Sequence, residues 1–328
     1  MKISVIMAVY NGAGTLKESI ESVLNQTFRD FEFIIVNDGS TDDTDKIIGV
    51  YRKLDARIVV IEHKNQGLTR SLNIALGKAK GEYIARQDAD DVSLPQRFQR
   101  QVQFLDAQNR IGFVGCNYGL IDREGRVFDF GPTEDNSAKI AFRLGKKNLF
   151  CHGSVLFRRE ALEKASGYRD FFRYAQDYDL YLRLIEFTLP GSLNKMLYHR
   201  RVLLDSISIS KSRLQAAYAE LARKSYEERR ALRDDNLILR EEALDSLVAK
   251  SGLLDSGLDF LEAFYRVKNN DTDRARRIIR PHLFPASLQK CKFYALWIFS
   301  YFPLRLRNVS LYLKTNIRRV KLLTGVCK

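Results

Sequence analysis

The sequence predicts an α/β fold in which a mostly parallel sheet is flanked by helices and followed by a helical C-terminal region. Short apolar runs rich in β-branched residues alternate with longer stretches whose apolar residues recur at helical spacing. Polar turn residues directly follow three of these runs, as is common at the carboxyl ends of parallel strands. With 328 residues and 45% hydrophobic content, the chain can form about two folded units.

The first 110 residues contain four predicted strands, each separated from the next by a helix-like stretch. These strands are Ile3–Val9, Phe33–Val36, Ile58–Ile61 and Tyr83–Ala85. The first run partly resembles a secretory leader, but a polar Tyr10-Asn11-Gly12 follows it closely, which favours a core strand. No window reaches the roughly eighteen consecutive apolar residues that a spanning helix needs.

Four helices are predicted between and after these strands. The first begins at Thr15, with Glu18 three residues later in the arrangement of a capping box. The second follows Thr41, and the third spans Thr69–Ala79. The fourth follows Pro95, which suits the first turn of a helix because the missing N–H has no partner there.

The alternation of strands and helices weakens after about residue 110. Gly112–Cys116 predicts a strand, residues 122–135 a hairpin or loop, and residues 152–168 a strand with a short helix. From Leu214 a helical pattern continues, with breaks, to the end of the chain. We therefore predict one domain over residues 1–210 and a basic helical region over residues 211–328.

Three polar clusters fall at the carboxyl ends of predicted strands: Tyr10-Asn11-Gly12, Asn37–Ser40 and Asp88–Asp91. Ligands of open α/β sheets bind beyond these ends, so we expect the clusters to form one site. The last cluster places three carboxylates within four residues, which is unfavourable unless a cation or hydrogen-bond donors compensate the charge. The alternative is three unrelated turns and helix caps.

The ordered set AVYNG, VNDGSTDDT, NQGLTRSLNIALGKAKGEYI, DADD and AQDYDLYLRL resembles the family 2 glycosyltransferases, whose GT-A fold is built on a Rossmann-like sheet. Each motif alone is weak, and their combination in this order is strong. The resemblance covers roughly residues 1–210. It implies an inverting, metal-dependent transfer of a sugar from a nucleotide-sugar donor, with residues 1–110 binding the donor and residues 111–210 the acceptor.

For the donor, the resemblance implies that Asp38 accepts a hydrogen bond from N3–H of uracil. It also implies that the strand end at Ala8 and Tyr10 supports the base, which favours UDP. The alternative for Asp38 is an N-cap of the following helix. Arg70 has two interpretations: its guanidinium contacts the diphosphate, or its stem packs along the helix.

Asp88 and Asp90 form a DxD pattern, in which two carboxylates on one turn face a divalent cation and a ribose. Oxygen ligands with open positions for phosphate suit Mg²⁺ or Mn²⁺. The resemblance implies that Asp90 binds the metal directly, and that the metal neutralises charge on the departing nucleoside diphosphate. Asp91 is expected to cap the next helix instead.

In the resembling family, an acidic residue at the position of Asp177 is the general base that takes the proton of the acceptor hydroxyl. Direct attack on the anomeric carbon then inverts its configuration. The alternative for Asp177 and Asp179 is to cap the following helix, and we adopt it for Asp179. His152 either contacts the acceptor or is a buried, hydrogen-bonded histidine. Tyr198-His199-Arg200 matches the end of the transferase domain only loosely.

The net charge of +14 is concentrated in the tail, because residues 274–328 hold 13 Lys and Arg and no Asp or Glu. The apolar run of residues 293–302, rich in Phe, Tyr and Trp and flanked by cations, suits a helix in the headgroup layer of an anionic membrane. The alternative is a pair of helices that pack their aromatic face on the catalytic domain. The four cysteines are far apart and without metal-ligand spacing, which favours the reducing cytoplasm. Together with the basic tail, this predicts a cytoplasmic protein that is peripheral to the membrane.

Two other function classes were considered, a nucleic-acid binder and a nucleotidyltransferase. A binder needs no carboxylate triplet at a strand end, and no RNA-binding motif is present, so no nucleic-acid partner is expected. Nucleotidyltransferases usually carry a basic residue in a glycine-rich phosphate loop, which residues 10–14 lack. We therefore expect transfer to a glycan or lipid-linked acceptor in cell-surface polysaccharide biosynthesis.

Overall fold

The computed structural model describes residues 1–131, 136–202 and 212–231, together with residues 235, 244 and 247. The strands are β1 (Ile3–Val9), β2 (Phe31–Asn37), β3 (Ile58–Glu62), β4 (Tyr83–Arg86), β5 (Val92–Ser93), β6 (Ile111–Ile121), β7 (Val127–Phe130), β8 (Leu156–Arg158) and β9 (Leu189–Arg201). The helices are α1 (Leu16–Leu24), α2 (Thr44–Leu54), α3 (Leu68–Lys78), α4 (Arg97–Asp106), α5 (Ser137–Leu144), α6 (Arg159–Lys164), α7 (Gln176–Leu184) and α8 (Ser212–Arg230), with a single 3₁₀ turn at His152–Ser154.

The described strands form one sheet in the order β3-β2-β1-β4-β8-β6-β9-β5, and β7 pairs with β6. The first four of these strands are parallel, as the sequence predicts. The other half of the sheet is mixed, because β8 runs antiparallel to β4 and β6, whereas β6 and β9 are parallel. The predicted α/β class is confirmed, and the carboxyl ends of β1, β2 and β4 lie at one edge.

Helices cover both faces of this sheet and divide its core into two layers. Alternate residues of β1 point to opposite faces, so Val5 and Met7 pack with α1, α2 and α4. Ile6 and Ala8 pack on the other face with α3, α5, α6 and α7. Every residue of β1 is buried, as expected for a strand covered on both faces.

Two helix starts differ in detail from the sequence prediction. Thr15 is the residue before α1, but its side chain caps nothing there, and Glu18 accepts a hydrogen bond from Arg201 instead. The predicted capping box is therefore wrong. Pro95 lies before Gln96, the cap position of α4, rather than inside the first turn.

Strand β9 was not predicted. Its sequence LPGSLNKMLYHRR begins with Pro and Gly after the first residue and carries Lys in the middle, so neither alternation nor a continuous apolar run marks it. Pairing with β5 sets Tyr198 opposite Ser93 and His199 opposite Val92. The end of β9 is thereby brought beside the acidic turn that follows β4.

By its packing the chain divides into a first unit, residues 1–202 with 218–244, and a second unit, residues 203–217 with 245–328. The helical pattern predicted from Leu214 is confirmed over α8. The predicted boundary near residue 210, the later breaks and the basic tail at residues 274–328 lie outside the described residues. Within the described residues, every helix is too short or too polar to span a bilayer.

Candidate active site

The loops after β1 and β2 are joined by hydrogen bonds. The Asn11 N–H donates to Ser40 Oγ at 3.0 Å, and the Thr41 N–H donates to Asn11 Oδ1 at 2.8 Å. The Gly12 N–H donates to Thr44 Oγ1 at 2.9 Å. Asn11 has a left-handed φ of 51°, which Asn adopts more readily than most residues. The first two polar clusters therefore form one surface.

The acidic turn after β4 lies against the start of α1. Ser19 Oγ donates to the Asp88 carbonyl at 2.8 Å, and Thr15 Oγ1 donates to the Ala89 carbonyl at 3.3 Å. A Cβ added to Gly12 would stand 3.9 Å from the Cβ of Ala89. Because α1 begins directly after the first loop, all three polar clusters meet at one edge of the sheet.

Asp38 is buried at the end of β2, and each of its carboxylate oxygens accepts a backbone hydrogen bond. The Gln66 N–H donates to Oδ1 at 2.8 Å, and the Gly67 N–H donates to Oδ2 at 3.0 Å. His63 Nδ1 lies 3.4 Å from Oδ1. Asp38 thus fixes the loop that enters α3 and does not cap α2, which begins at Thr44. Each oxygen keeps a further lone pair for a ligand.

The other three residues predicted to contact the donor differ in exposure. Ala8 is buried near the end of β1, whereas Tyr10, just past that end, is 53% exposed. Arg70 lies on α3, and its exposed Nε donates to Asp170 Oδ2 at 3.1 Å. An exposed pair of this kind contributes at most about 1 kcal/mol. Both interpretations of Arg70 stay predictions.

The carboxylates of the acidic turn have different electrostatic surroundings. Burial would raise the pKa of Asp88, but nearby cations outweigh it, chiefly Arg86, which pairs with Asp88 at 2.6 Å, and the net pKa is lowered. Burial and the charge of Asp88 raise the pKa of Asp90 to about 6. Burial and both neighbouring carboxylates raise the pKa of Asp91 well above its ordinary value.

Asp91 does not cap a helix, so that prediction is wrong. Its buried carboxylate accepts the Arg201 N–H at 2.7 Å, which joins the acidic turn to the end of β9. The Arg201 side chain is also buried and donates to the Asp90 carbonyl at 2.9 Å and to Glu18. Asp91 and Arg201 therefore hold the shape of the turn that carries Asp88 and Asp90.

Two buried arginines, Arg86 and Arg97, hold the same turn through hydrogen bonds and an ion pair. Arg86 is fully buried, pairs with Asp88 and also donates to the Gln87 carbonyl. Arg97 is fully buried and donates to Ser93 Oγ at 2.7 Å, to Gln87 Oε1 at 3.1 Å and to the Arg86 carbonyl at 2.7 Å. Buried cations are stable only with such partners. These bonds pre-organise the acidic turn.

The acidic turn keeps part of the oxygen donor set that a divalent cation uses. Oδ2 of Asp88 and both carboxylate oxygens of Asp90 accept no hydrogen bond from another residue among those the structure describes. No group of three potential protein ligands occurs in the described part of the chain. Two carboxylates with phosphate and water oxygens completing the shell are usual for Mg²⁺, so the residues fit such an ion.

Asp177 lies in the first turn of α7, and its Oδ2 accepts a hydrogen bond from Asn148 Nδ2 at 2.7 Å. No side-chain hydrogen bond caps this helix, so the cap alternative for Asp177 is wrong. The preceding Ala175 has a left-handed φ of 52°. Strain of this kind costs about 1–3 kcal/mol and often occurs at functional sites.

Asp179, two residues further on, does not cap the helix either, contrary to our prediction. Its fully buried carboxylate pairs with Arg169 and, at 3.0 Å, with Arg183. The pair with Arg169 binds α7 to the segment before it, and the pair with Arg183 lies within the helix. Within one helical turn, the Asp179 carboxylate is thus used in ion pairs that stabilise the fold. Asp177 keeps its Oδ1 without a hydrogen-bond partner among the described residues.

His152 lies between the acidic turn and α7. Its Nε2 is 2.8 Å from the Tyr168 hydroxyl and the residue is partly buried, so the hydrogen bond is confirmed and complete burial is not. Burial and the charge of Arg86 lower the pKa of His152 to about 4, although Asp177 and Asp88 act in the opposite direction. Asp88 and Asp177 are therefore within electrostatic range of the same imidazole. Contact of His152 with an acceptor stays a prediction.

Sequence reasoning did not find the residues that support the acidic turn from other elements. Tyr198, on β9, accepts the Asp88 N–H on its hydroxyl at 3.3 Å. The available signal was a charged residue inside a buried strand: Arg86, at the end of YIAR, stands two residues before Asp88. Such a placement requires a nearby anion. Arg97 and Arg201 carried no comparable signal.

The chain resembles known glycosyltransferases in sequence. The profile of the family described as Glycosyl transferase family 2 matches residues 4–166. EpsE of Bacillus subtilis (strain 168) is 39% identical over 209 residues, which cover 61% of this chain and 73% of that protein. The O-antigen biosynthesis glycosyltransferase WbnJ of Escherichia coli is 39% identical over 184 residues, covering 56% and 71%.

Solved structures share the fold. S. aureus TarS 1–349 in complex with UDP is 18% identical, with a TM-score of 0.55 and coverage of 98% of this chain and 92% of that one. The mannosyltransferase PcManGT of Pyrobaculum calidifontis, in complex with GDP-Man and Mn²⁺, is 17% identical, with a TM-score of 0.55 and coverage of 99% and 81%. The predicted GT-A fold is confirmed, and the sequence relatives favour a transferase over the two competing classes. The chain belongs to glycosyl transferase family 2.

Proposed function

We propose that this chain is an inverting, metal-dependent glycosyltransferase. It moves a hexosyl or N-acetylhexosaminyl group from a UDP-sugar to a glycan or lipid-linked acceptor in cell-surface polysaccharide biosynthesis, at the cytoplasmic face of the membrane. The observation that carries the proposal is the meeting of the Asp38 strand end and the Asp88–Asp91 turn at one sheet edge. Asp177 lies within electrostatic range of the same histidine as Asp88. The UDP complex of TarS and the O-antigen role of WbnJ support it.

The donor site uses the edge formed by the first two loops. Asp38, held in place by two backbone N–H groups, has lone pairs left to accept N3–H of uracil. Tyr10 offers an exposed aromatic ring beside this strand end, on which a base can stack. We place the donor-binding half in residues 1–110, the acceptor half in residues 111–210 and a separate basic region in residues 211–328.

Asp90, with Asp88, would hold the divalent cation. When bound, such an ion neutralises charge on the departing nucleoside diphosphate. The complex of PcManGT with Mn²⁺ supports this choice of cofactor. Arg86, Arg97 and Arg201 keep the turn rigid, so the two carboxylates need little rearrangement to bind a cation.

Asp177 acts as the general base. Asn148 holds its Oδ2, which leaves Oδ1 to accept the proton of the acceptor hydroxyl. The hydroxyl oxygen then bonds to the anomeric carbon as the bond from that carbon to the diphosphate breaks, which inverts the configuration. A positioned base of this kind contributes on the order of 10²–10⁴ in rate.

Product analysis tests the proposal. The purified chain is incubated with Mn²⁺, a panel of UDP-sugars, and oligosaccharide and lipid-linked acceptors, and the anomeric configuration is read by NMR. Asp177→Asn should lower kcat by about 10²–10⁴ while UDP affinity stays within twofold. Asp30→Asn is the matched control, since Asp30 is exposed at the opposite edge of the sheet. Retained configuration, or full activity of Asp177→Asn, would contradict the mechanism.

A further inference from the structure

Helix α5 presents an aromatic side chain to solvent. Ile140 and Leu144 are buried in the core and fix its inner face. Phe142 lies between them in sequence and is 67% exposed. Successive helical residues are about 100° apart, so Phe142 points away from both. Phe is ordinarily among the most buried residue types, so this ring is an apolar group available for contact at the surface.

Cations surround Phe142 on the same side of the helix. Lys139 stands one turn before it and Lys146 one turn after it, and the Lys146 ammonium lies 4.3 Å from the centre of the Phe142 ring. Residues 136–150 contain four Lys and Arg and no Asp or Glu. Among the described residues, no carboxylate pairs with Lys139, Lys146 or the exposed Lys147. We call Lys139, Phe142, Lys146 and Lys147 the α5 face.

The segment that carries the α5 face is joined to α7 by two hydrogen bonds, made by Leu144 and Asn148. The Tyr178 hydroxyl donates to the Leu144 carbonyl at 2.7 Å, at the last residue of α5. Asn148 Nδ2 donates to Asp177 Oδ2 at 2.7 Å, four residues further along the chain. Asp177 and Tyr178 are neighbours in α7. Helix α5 and the residues that follow it therefore pack against the helix that carries Asp177.

We propose that the α5 face docks on the anionic headgroups of a lipid bilayer. An exposed aromatic ring beside lysines that have no carboxylate partner among the described residues is the composition of an interfacial helix, in which the ring enters the headgroup layer and the lysines contact phosphates. An acidic protein partner would satisfy the lysines but would not require an exposed Phe. The α5 face consists of other residues than the basic tail at residues 274–328. This inference rests on the proposed function. A chain docked in this way would meet lipid-linked acceptors rather than soluble glycans.

A tryptophan probe tests the docking at the α5 face itself. Trp297 is the single tryptophan of the chain, so Phe142→Trp is made in full-length protein carrying Trp297→Phe. The matched control is Leu54→Trp in the same background, because Leu54 is 73% exposed at the far end of α2. Vesicles of phosphatidylglycerol and phosphatidylcholine carry brominated acyl chains that quench nearby tryptophan.

We expect quenching at position 142 to be at least threefold stronger than at position 54, and to vanish with pure phosphatidylcholine. Equal quenching at the two positions would overturn the proposal even if the protein sediments with vesicles, because the tail would then account for binding. Absence of binding to anionic vesicles would overturn it as well.

A charge variant gives a second, independent measurement. Lys139→Gln with Lys146→Gln should lower the partition coefficient onto anionic vesicles at least fivefold, whereas Lys53→Gln with Lys78→Gln, also exposed, should not. The first pair should raise KM for a vesicle-embedded acceptor and leave UDP affinity unchanged. Vesicle binding is measured without nucleotide and UDP binding without vesicles, so failure of the docking and failure of the proposed function are distinguishable.

Discussion

Asp179→Asn is expected to destabilise the fold, whereas Asp177→Asn, two residues earlier in α7, is expected to leave stability almost unchanged. The Asp179 carboxylate is fully buried between Arg169 and Arg183. Arg169 also pairs with Asp235 at 2.8 Å, but Asp179 is the one carboxylate paired with Arg183 in the described part of the chain. A neutral amide therefore leaves the charge of Arg183, only 11% exposed, uncompensated.

The magnitude follows from this difference in partners. Removing one side of a buried ion pair costs about 3–5 kcal/mol. Since Arg169 keeps Asp235, we take the lower end, about 3 kcal/mol. At about 2–4 °C per kcal/mol for a unit of this size, the midpoint of thermal unfolding should fall by about 6–12 °C. Asp177 loses part of one partly exposed hydrogen bond, which is worth about 1 kcal/mol or less.

Thermal unfolding followed by circular dichroism measures both effects, with Asp30→Asn as control, and transfer activity is measured below the lowest midpoint. We expect Asp177→Asn to be stable and inactive. Refolded or low-temperature Asp179→Asn should retain donor binding. A wild-type midpoint for Asp179→Asn, or an equal loss of stability in Asp177→Asn, would refute the division of roles within this turn.

Four further substitutions test the account. Ala175→Gly should raise the free energy of unfolding by about 0.5–1 kcal/mol in a denaturant titration, because it relieves a left-handed φ. Gly39→Ala should lower the free energy of unfolding, since the new Cβ would stand 2.6 Å from the Asn65 nitrogen. Burial lowers the pKa of His152 to about 4, so the unfolded chain binds the proton more tightly and stability should fall as pH falls from about 6.5 to 4. His152→Gln should flatten that pH profile. Arg201→Lys removes side-chain bonds that hold the acidic turn and should weaken UDP binding in Mn²⁺ about tenfold by calorimetry.

Local sequence was sufficient for the parallel half of the sheet. β1 was predicted at Ile3–Val9 and is observed with the same bounds, because a fully buried strand is a continuous apolar run ended by polar turn residues. The meeting of the three polar clusters followed from topology, since parallel strands place their carboxyl ends at one edge. The predicted positions of Asp38 and of the acidic turn needed no long-range information.

Contacts between residues far apart in the chain could not be predicted from the local sequence pattern. Glu18 stands at the right spacing for a capping box, but Arg201 pairs with it from 183 residues away. Asp91 precedes a helix in sequence, yet a two-residue strand, β5, intervenes and a backbone N–H of β9 binds its carboxylate. The missed β9 explains both errors, because both partners come from its last residue.

We propose that Asp88 and Asp90 bind a donor diphosphate through a divalent cation. Isothermal titration of UDP into the full-length chain, with Mn²⁺ and then with EDTA, tests it most directly, on wild type, Asp90→Asn and Asp30→Asn. We predict binding that requires Mn²⁺, is weakened at least tenfold by Asp90→Asn and is unchanged by Asp30→Asn. UDP binding of equal affinity in EDTA, or undiminished in Asp90→Asn, would contradict the account.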